Sequence, residues 1–164
     1  MAQICNSLIV LVTLSLSALV HAENLATVDV NLTPAGSFKA KTSEVKGEAL
    51  LKGDTVTATN IIVNLKSLKT GIEVRDSHTL KHLEADKFPE AILVNATGKN
   101  GKGEGLIKIK GIEKKISGKY TINGSQLEAE FPLQLSEFQI SGIRYMGVGV
   151  KDQVLLHVSI PLKK

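Results

Sequence analysis

The chain has 164 residues, a formal net charge of +4 and a hydrophobic share of 43%, which fit one globular domain and exclude wholesale disorder. With 14 glycines and 4 prolines, collagen-like and proline-rich architectures are excluded as well. The 20 Lys and Arg residues against 16 Asp and Glu form only a mild basic excess, and aromatics are 4%. The concentrated charge and stacking platforms of a nucleic-acid binder are therefore missing.

Residues 8–20 carry no charge. The run is too short to span a bilayer, which takes about 20 apolar residues in a helix. It leads into Val20-His21-Ala22, with small residues where a signal peptidase reads. This predicts a signal peptide over residues 1–22, cleaved after Ala22, and a mature domain over residues 23–164. An uncleaved anchor is the alternative. Cys5 is the only cysteine and precedes the apolar run, whereas a lipoprotein cysteine follows one. The mature chain is thus expected to lack disulfides, thiol catalysis and thiolate metal ligation.

Period-two alternation, the mark of half-buried strands, then begins. Val28, Val30 and Leu32 share a face. Strands are expected at residues 37–42 and 45–51, and a longer one, rich in β-branched residues, at 55–65. Residues 70–83 break the pattern. Thr70 and Glu73 match a capping box, and a helix from about residue 71 to 83 would turn Ile72, Leu80 and Leu83 toward the sheet. Phe88-Pro89 ends it. Alternation resumes with Ile92, Val94 and Ala96, then a strand at residues 106–110. It continues with Ile116, Gly118, Tyr120 and Ile122, with Leu127, Ala129, Phe131, Leu133 and Leu135, and with Val154, Leu156, Val158, Ile160 and Leu162. Turn signals separate these runs at Pro34-Ala35-Gly36, Gly53-Asp54, residues 98–105 and Asn123-Gly124. Eight or nine antiparallel strands in one domain predict an all-β barrel or sandwich.

Few residues invite catalysis. His78 and His82, four apart on the helix, can chelate a metal if Glu84, Asp86 or Asp76 adds a third ligand; a solvated helix face is the alternative. Arg75 offers a planar fork that fixes a loop or holds a ligand head group. His157 is expected at the surface or in a strand wall. The glycine-rich residues 98–105 lack the Gly-Lys-Ser/Thr order and the following helix of a phosphate loop. Seven lysines between Lys99 and Lys119 form either a solvated strand face or a patch for an anionic membrane surface. The apolar face is more telling. It holds the small residues Ala40, Gly47, Ala49, Ala96, Gly118 and Ala129 among bulky Phe38, Leu133, Leu135 and Leu156. In a closed barrel such a mixture leaves an apolar cavity. In a sandwich it permits close sheet packing.

The segment SLKTGIEVRDSHTLKHLEADKFP, residues 67–89, resembles the central signature of the YceI-like family: Thr70-Gly71, Arg75-Asp76-Ser77-His78, and Asp86-Lys87-Phe88-Pro89. Residues 105–118 are similar to that family's strand–Gly–strand hairpin, and residues 138–161 resemble its closing section, with Met146-Gly147-Val148 and Asp152. The resemblance covers residues 26–162. The opening VDVNLTPAGSF and Phe138-Gln139-Ile140 depart from the family's Asp-x-x-His-Ser and Phe-Gly-Ile.

This resemblance implies a lipocalin-like antiparallel barrel of eight to nine strands with a short helical insertion. It also implies an exported, periplasmic bacterial protein whose apolar pocket binds an isoprenoid, a quinone or another amphiphilic lipid. No catalytic residue, metal or cofactor is expected. The residues expected to contact the lipid are Val28, Val30, Phe38, Ile92, Val94, Phe131, Leu133, Leu156 and Val158, with Arg75, Asp76 and His78 as matched motif positions. The competing expectations are a packed barrel acting through its surface and, third, a small metal-dependent enzyme using His78 and His82.

Overall fold

Alternating side chains make two-faced strands, and two-faced strands must close or stack to hide the apolar face. Here they close. The computed structural model describes residues 24–164; the expected leader, with Cys5, lies outside the described residues. The strands are β1 (Leu25–Thr33), β2 (Ser37–Thr42), β3 (Val45–Lys46), β4 (Ala49–Lys52), β5 (Thr55–Asn64), β6 (Glu90–Lys99), β7 (Lys102–Ile109), β8 (Ile112–Asn123), β9 (Gln126–Gln134), β10 (Arg144–Tyr145) and β11 (Val148–Lys163). The helix α1 (Glu73–His82) stands between β5 and β6.

Strands β4 to β9 follow one another as antiparallel neighbours, and β11 closes the ring by pairing with β9 on one side and β4 on the other. This makes a seven-stranded barrel with added strands. The β4–β11 seam is short and parallel, Leu162 opposite Ala49 and Lys163 opposite Leu50. The rest of that β11 edge is taken by β1, which carries β2 on its far side. Beyond β2, a bridge between Lys41 and Lys69 ties the sheet to the segment that leads into α1. The all-β class expected from the alternation is therefore present, as a barrel and not a sandwich. The strand expected at residues 45–51 is split at Gly47 (φ 116) into β3 and β4, and periodicity does not reveal the short β10 or the parallel seam.

The glycine-rich residues 98–105 are mostly strand. Asn100 (φ 53) and Gly101 (φ 75) form a two-residue turn between β6 and β7. Positive φ at both positions is the signature of a type I′ hairpin, which Asn-Gly accommodates with little strain. Gly98 and Gly103 face each other across the hairpin, and a Cβ on Gly98 would stand 2.5 Å from the Tyr120 ring. The pair is a seat for that ring.

Buried residues form two clusters. One holds Ala26, Ala49, Val56, Leu127 and Ile160 at the lower end, where β1 begins and β11 ends. The other holds Val30, Leu65, Ile107, Leu133 and Phe138 toward the upper end, near α1. Between them the barrel is not filled.

Candidate functional site

The sheet register lays side chains in rows that cross several strands on the inner face. Ala40, Val28, Leu156 and Phe131 form one row across β2, β1, β11 and β9. Phe38, Val30, Val154 and Leu133 form the next. Ala26, Val158, Ala129 and Tyr120 form a third, below. The first and third rows mix large side chains with alanines and the second sets two valines between Phe38 and Leu133, and a space remains between opposite walls. The space left is a cavity of about 740 Å³ that extends from Leu127 and Ile160 up to Val150 and α1. Its lining is almost wholly hydrocarbon.

Val28, Val30, Phe38, Phe131, Leu133, Leu156 and Val158 all lie on this wall, as do the small residues Ala40, Ala96, Gly118 and Ala129. Gly118 is small for a reason: a Cβ there would collide with the Glu130 carbonyl and the Phe131 side chain. Gly47 and Ala49 are not on the wall. Gly47 lies against Ile61, and Ala49 is fully buried in the lower cluster. Ile92 and Val94 are also corrected. Ala91, Leu93 and Ala96 line the cavity on β6 instead. Ala91 and Leu93 pair with Val63 and Ile61, two other lining residues, whereas Ile92 sits opposite Ile62. A bulge between Leu93 and Asn95 then shifts the register against β7, so that Ala96 follows Leu93 on the inner face. Three consecutive apolar residues, Ile92, Leu93 and Val94, hide that parity from an alternation argument.

Helix α1 covers part of the upper end. Leu80 and Leu83 pack on the upper cluster, while Ile72 stays half exposed at the cavity edge. The expected Thr70–Glu73 capping box is replaced by another arrangement. The helix starts at Glu73 with Ile72 as N-cap, so Glu73 is one residue into the helix and cannot reach back. Asp76, a turn further on, accepts from both the Thr70 backbone N–H and the Thr70 hydroxyl, each at 2.7 Å. These bonds hold the Asp76 carboxyl below its ordinary value, with Lys69 at 3.7 Å adding to the effect. Asp76 is buried and is not on the cavity wall. It fixes the turn that aims α1.

Arg75 does face the cavity. Its guanidinium lies 4.5 Å from the centroid of the Phe38 ring, a cation–π contact. Among the described residues no carboxylate forms an ion pair with it, and its contact is with Phe38 of β2. His78 and His82 also line the cavity. Burial, followed by the nearby His78, Lys81 and Lys110, lowers the His82 pKa, which keeps that imidazole neutral at pH 7. Among the described residues no group of three His, Cys, Asp or Glu side chains is arranged to hold a metal; Glu84 instead pairs with Lys110 at 2.7 Å. His157 lies on the outer sheet face between Asp29 (3.5 Å) and Glu130 (3.7 Å).

Sequence reasoning missed Val74, Met146 and Val148, which edge the cavity at its upper end. Their apolar character in a Gly-rich turn and at a helix start was the available signal.

Solved structures with this architecture exist at low sequence identity. BcnA of Burkholderia cenocepacia matches with a TM-score of 0.63 and 12% identity, over 84% of this chain and 95% of that one. A polyisoprenoid-binding domain from Saccharophagus degradans, implicated in plant cell wall breakdown, matches with a TM-score of 0.56 and 9% identity, over 84% and 92%. The Campylobacter jejuni YceI protein matches with a TM-score of 0.53 and 14% identity, over 79% and 87%. No protein of curated function matches the sequence. The model of the YceI-like domain matches residues 18–162. A barrel of this topology, with the Arg75-Asp76-Ser77-His78 helix at its upper end and a family match over nearly the whole chain, places the protein in the YceI-like family.

Proposed function

We propose that the protein is a non-catalytic carrier that holds the chain of an isoprenoid, a quinone or another amphiphilic lipid in the barrel. The single observation behind this reading is the apolar cavity of about 740 Å³ running from the lower cluster to α1. Such a cavity excludes water and returns about 0.8 kcal/mol for each methylene it buries, less the cost of immobilising a flexible chain. Phe131, Leu133, Leu156 and Val158 would grip the chain. Arg75 and His78, on the wall near α1, would meet the polar head. The polyisoprenoid-binding relative supports the ligand class. Export fits the same reading: residues 1–22 would be a cleaved leader and residues 23–164 the periplasmic domain.

A barrel acting only through its outer surface would gain nothing from an open interior, so the packed-barrel reading has less support. The metal-enzyme reading has two histidines and, among the described residues, no third donor.

The test is native mass spectrometry of protein purified without detergent, with organic extraction of what it carries. A bound lipid at near-unit stoichiometry is expected. Leu133→Trp, which puts a ring into the Val30–Val154 row, should weaken lipid binding about tenfold or more. A lipid-free protein that also refuses added isoprenoids would end the carrier reading.

A further inference from the structure

Among the described residues the large apolar side chains that remain exposed are unevenly placed. Ile72 is 50% exposed, Val74 55%, Met146 86% and Val148 38%. All four also edge the cavity. The other three, Leu25, Leu50 and Ile122, are spread over β1, β4 and β8, and none of them lines it.

The pairings show how the four come to one end. Arg75 over Phe38 sets α1 beside the start of β2. Next come β1, then β11, then β10, which pairs Arg144 with Gly149. Thr33, the last residue of β1, pairs with that same Gly149. Ile72 and Val74 therefore stand on one flank of the β1–β2 turn, and Met146 and Val148 on the other. Together they form a broken apolar rim. A rim of this kind on a soluble domain marks a contact surface.

Its charges point to the occupant. Arg75 and Arg144 both line the cavity edge. Lys69, whose side chain is 70% exposed, lies just ahead of Ile72 and neutralises Asp76. Glu73 is the opposing exposed acid at the start of the helix. Exposed apolar side chains with cations next to them in the chain, Arg75 after Val74 and Arg144 two residues before Met146, suit an anionic membrane surface, acyl chains below and phosphates above.

We propose that this rim docks on an anionic bilayer, with Ile72, Val74, Met146 and Val148 entering the interfacial layer and Arg75 and Arg144 at phosphate level. The proposal rests on the carrier reading for its purpose: a lipid chain would slide from the bilayer over the rim into the barrel without crossing water. It moves the membrane contact from the lysines of residues 99–119 to the cavity mouth.

The test uses the full chain with Cys5→Ser, and an environment-sensitive fluorophore on Met146→Cys, on Val148→Cys or, as control, on Leu50→Cys. The probe is a vesicle of equimolar phosphatidylglycerol and phosphatidylcholine. Emission should shift to the blue at positions 146 and 148 and stay unchanged at 50. Phosphatidylcholine alone, or high salt, should reduce the shift. Adding Val74→Asp should reduce it further. No shift at 146 and 148, or an equal shift at 50, would overturn the proposal. Because the readout is local, general tethering by the apolar residues 8–20 would not imitate it. Native mass spectrometry of the unlabelled protein separates the two readings. A lipid-filled barrel without a rim shift removes the docking proposal alone, and a rim shift on a protein that never takes lipid removes the carrier.

Discussion

Asp76 illustrates how a motif residue can be structural. Its carboxylate holds the Thr70 N–H and hydroxyl, and its burial leaves water little chance to replace them. Asp76→Ala should lower the thermal midpoint by a few degrees, because α1 would lose the contact that fixes its start. The pH dependence has a definite sign. The folded carboxyl titrates below its ordinary value of 3.8, so its stabilisation is complete above the unfolded pKa and disappears as pH falls through the lower, folded one. The difference in midpoint between wild type and Asp76→Ala should be constant above about pH 5 and close below about pH 4. Thermal melts of both proteins across that range check it. A difference that grew with acid would mean that the carboxylate is not the stabilising form. Arg75, one residue earlier, has another office: it packs on Phe38 at the cavity wall.

At the scale of elements, strands whose two faces differ sharply could be read from the sequence. Phe131 and Leu133 alternate with Pro132 and Gln134 on β9, and Leu156 and Val158 alternate with His157 on β11, so the inner face was legible. On β6 the residues Ile92, Leu93 and Val94 are all apolar, and both faces of that strand are partly covered. Only the pairing with β5 and the bulge against β7 decide that Leu93 points inward. Glycine signals turns, so residues 98–105 predict a turn throughout. Most of the glycines there instead give room to close neighbours, Gly98 to the Tyr120 ring on β8 and Gly105 to the Asn95 carbonyl on β6, and that close approach depends on strand pairing. The β6 register makes a paired prediction. Leu93→Trp should obstruct the cavity and weaken lipid binding about tenfold or more, while Ile92→Trp, on the other face, should leave it within about twofold. Binding isotherms with one isoprenoid for both variants decide the matter. Equal losses would place both residues on the wall.

At the scale of the molecule, the barrel is closed by its ends. β11, the last strand, touches β1, β4 and β9, so the cavity exists only when sequence-distant segments have met. The resulting interior is left open, with walls that lack partners across the space. Stability is thereby linked to occupancy. A ligand that binds only the folded barrel adds RT ln(1 + [L]/Kd), about 2.7 kcal/mol at a hundredfold excess over Kd. At about 3 °C per kcal/mol for a domain of this size, the thermal midpoint should rise about 8 °C. Protein stripped of lipid by organic extraction and refolded should therefore melt lower than protein as purified. Adding back the extracted lipid should restore the midpoint in proportion to the logarithm of its concentration. Leu133→Trp, with the central row blocked, should show little of this response, whereas Ile92→Trp should keep it. If the stripped and native proteins melt together and added lipid moves neither, the interior is not a lipid site, because occupancy of the folded state alone cannot fail to stabilise it.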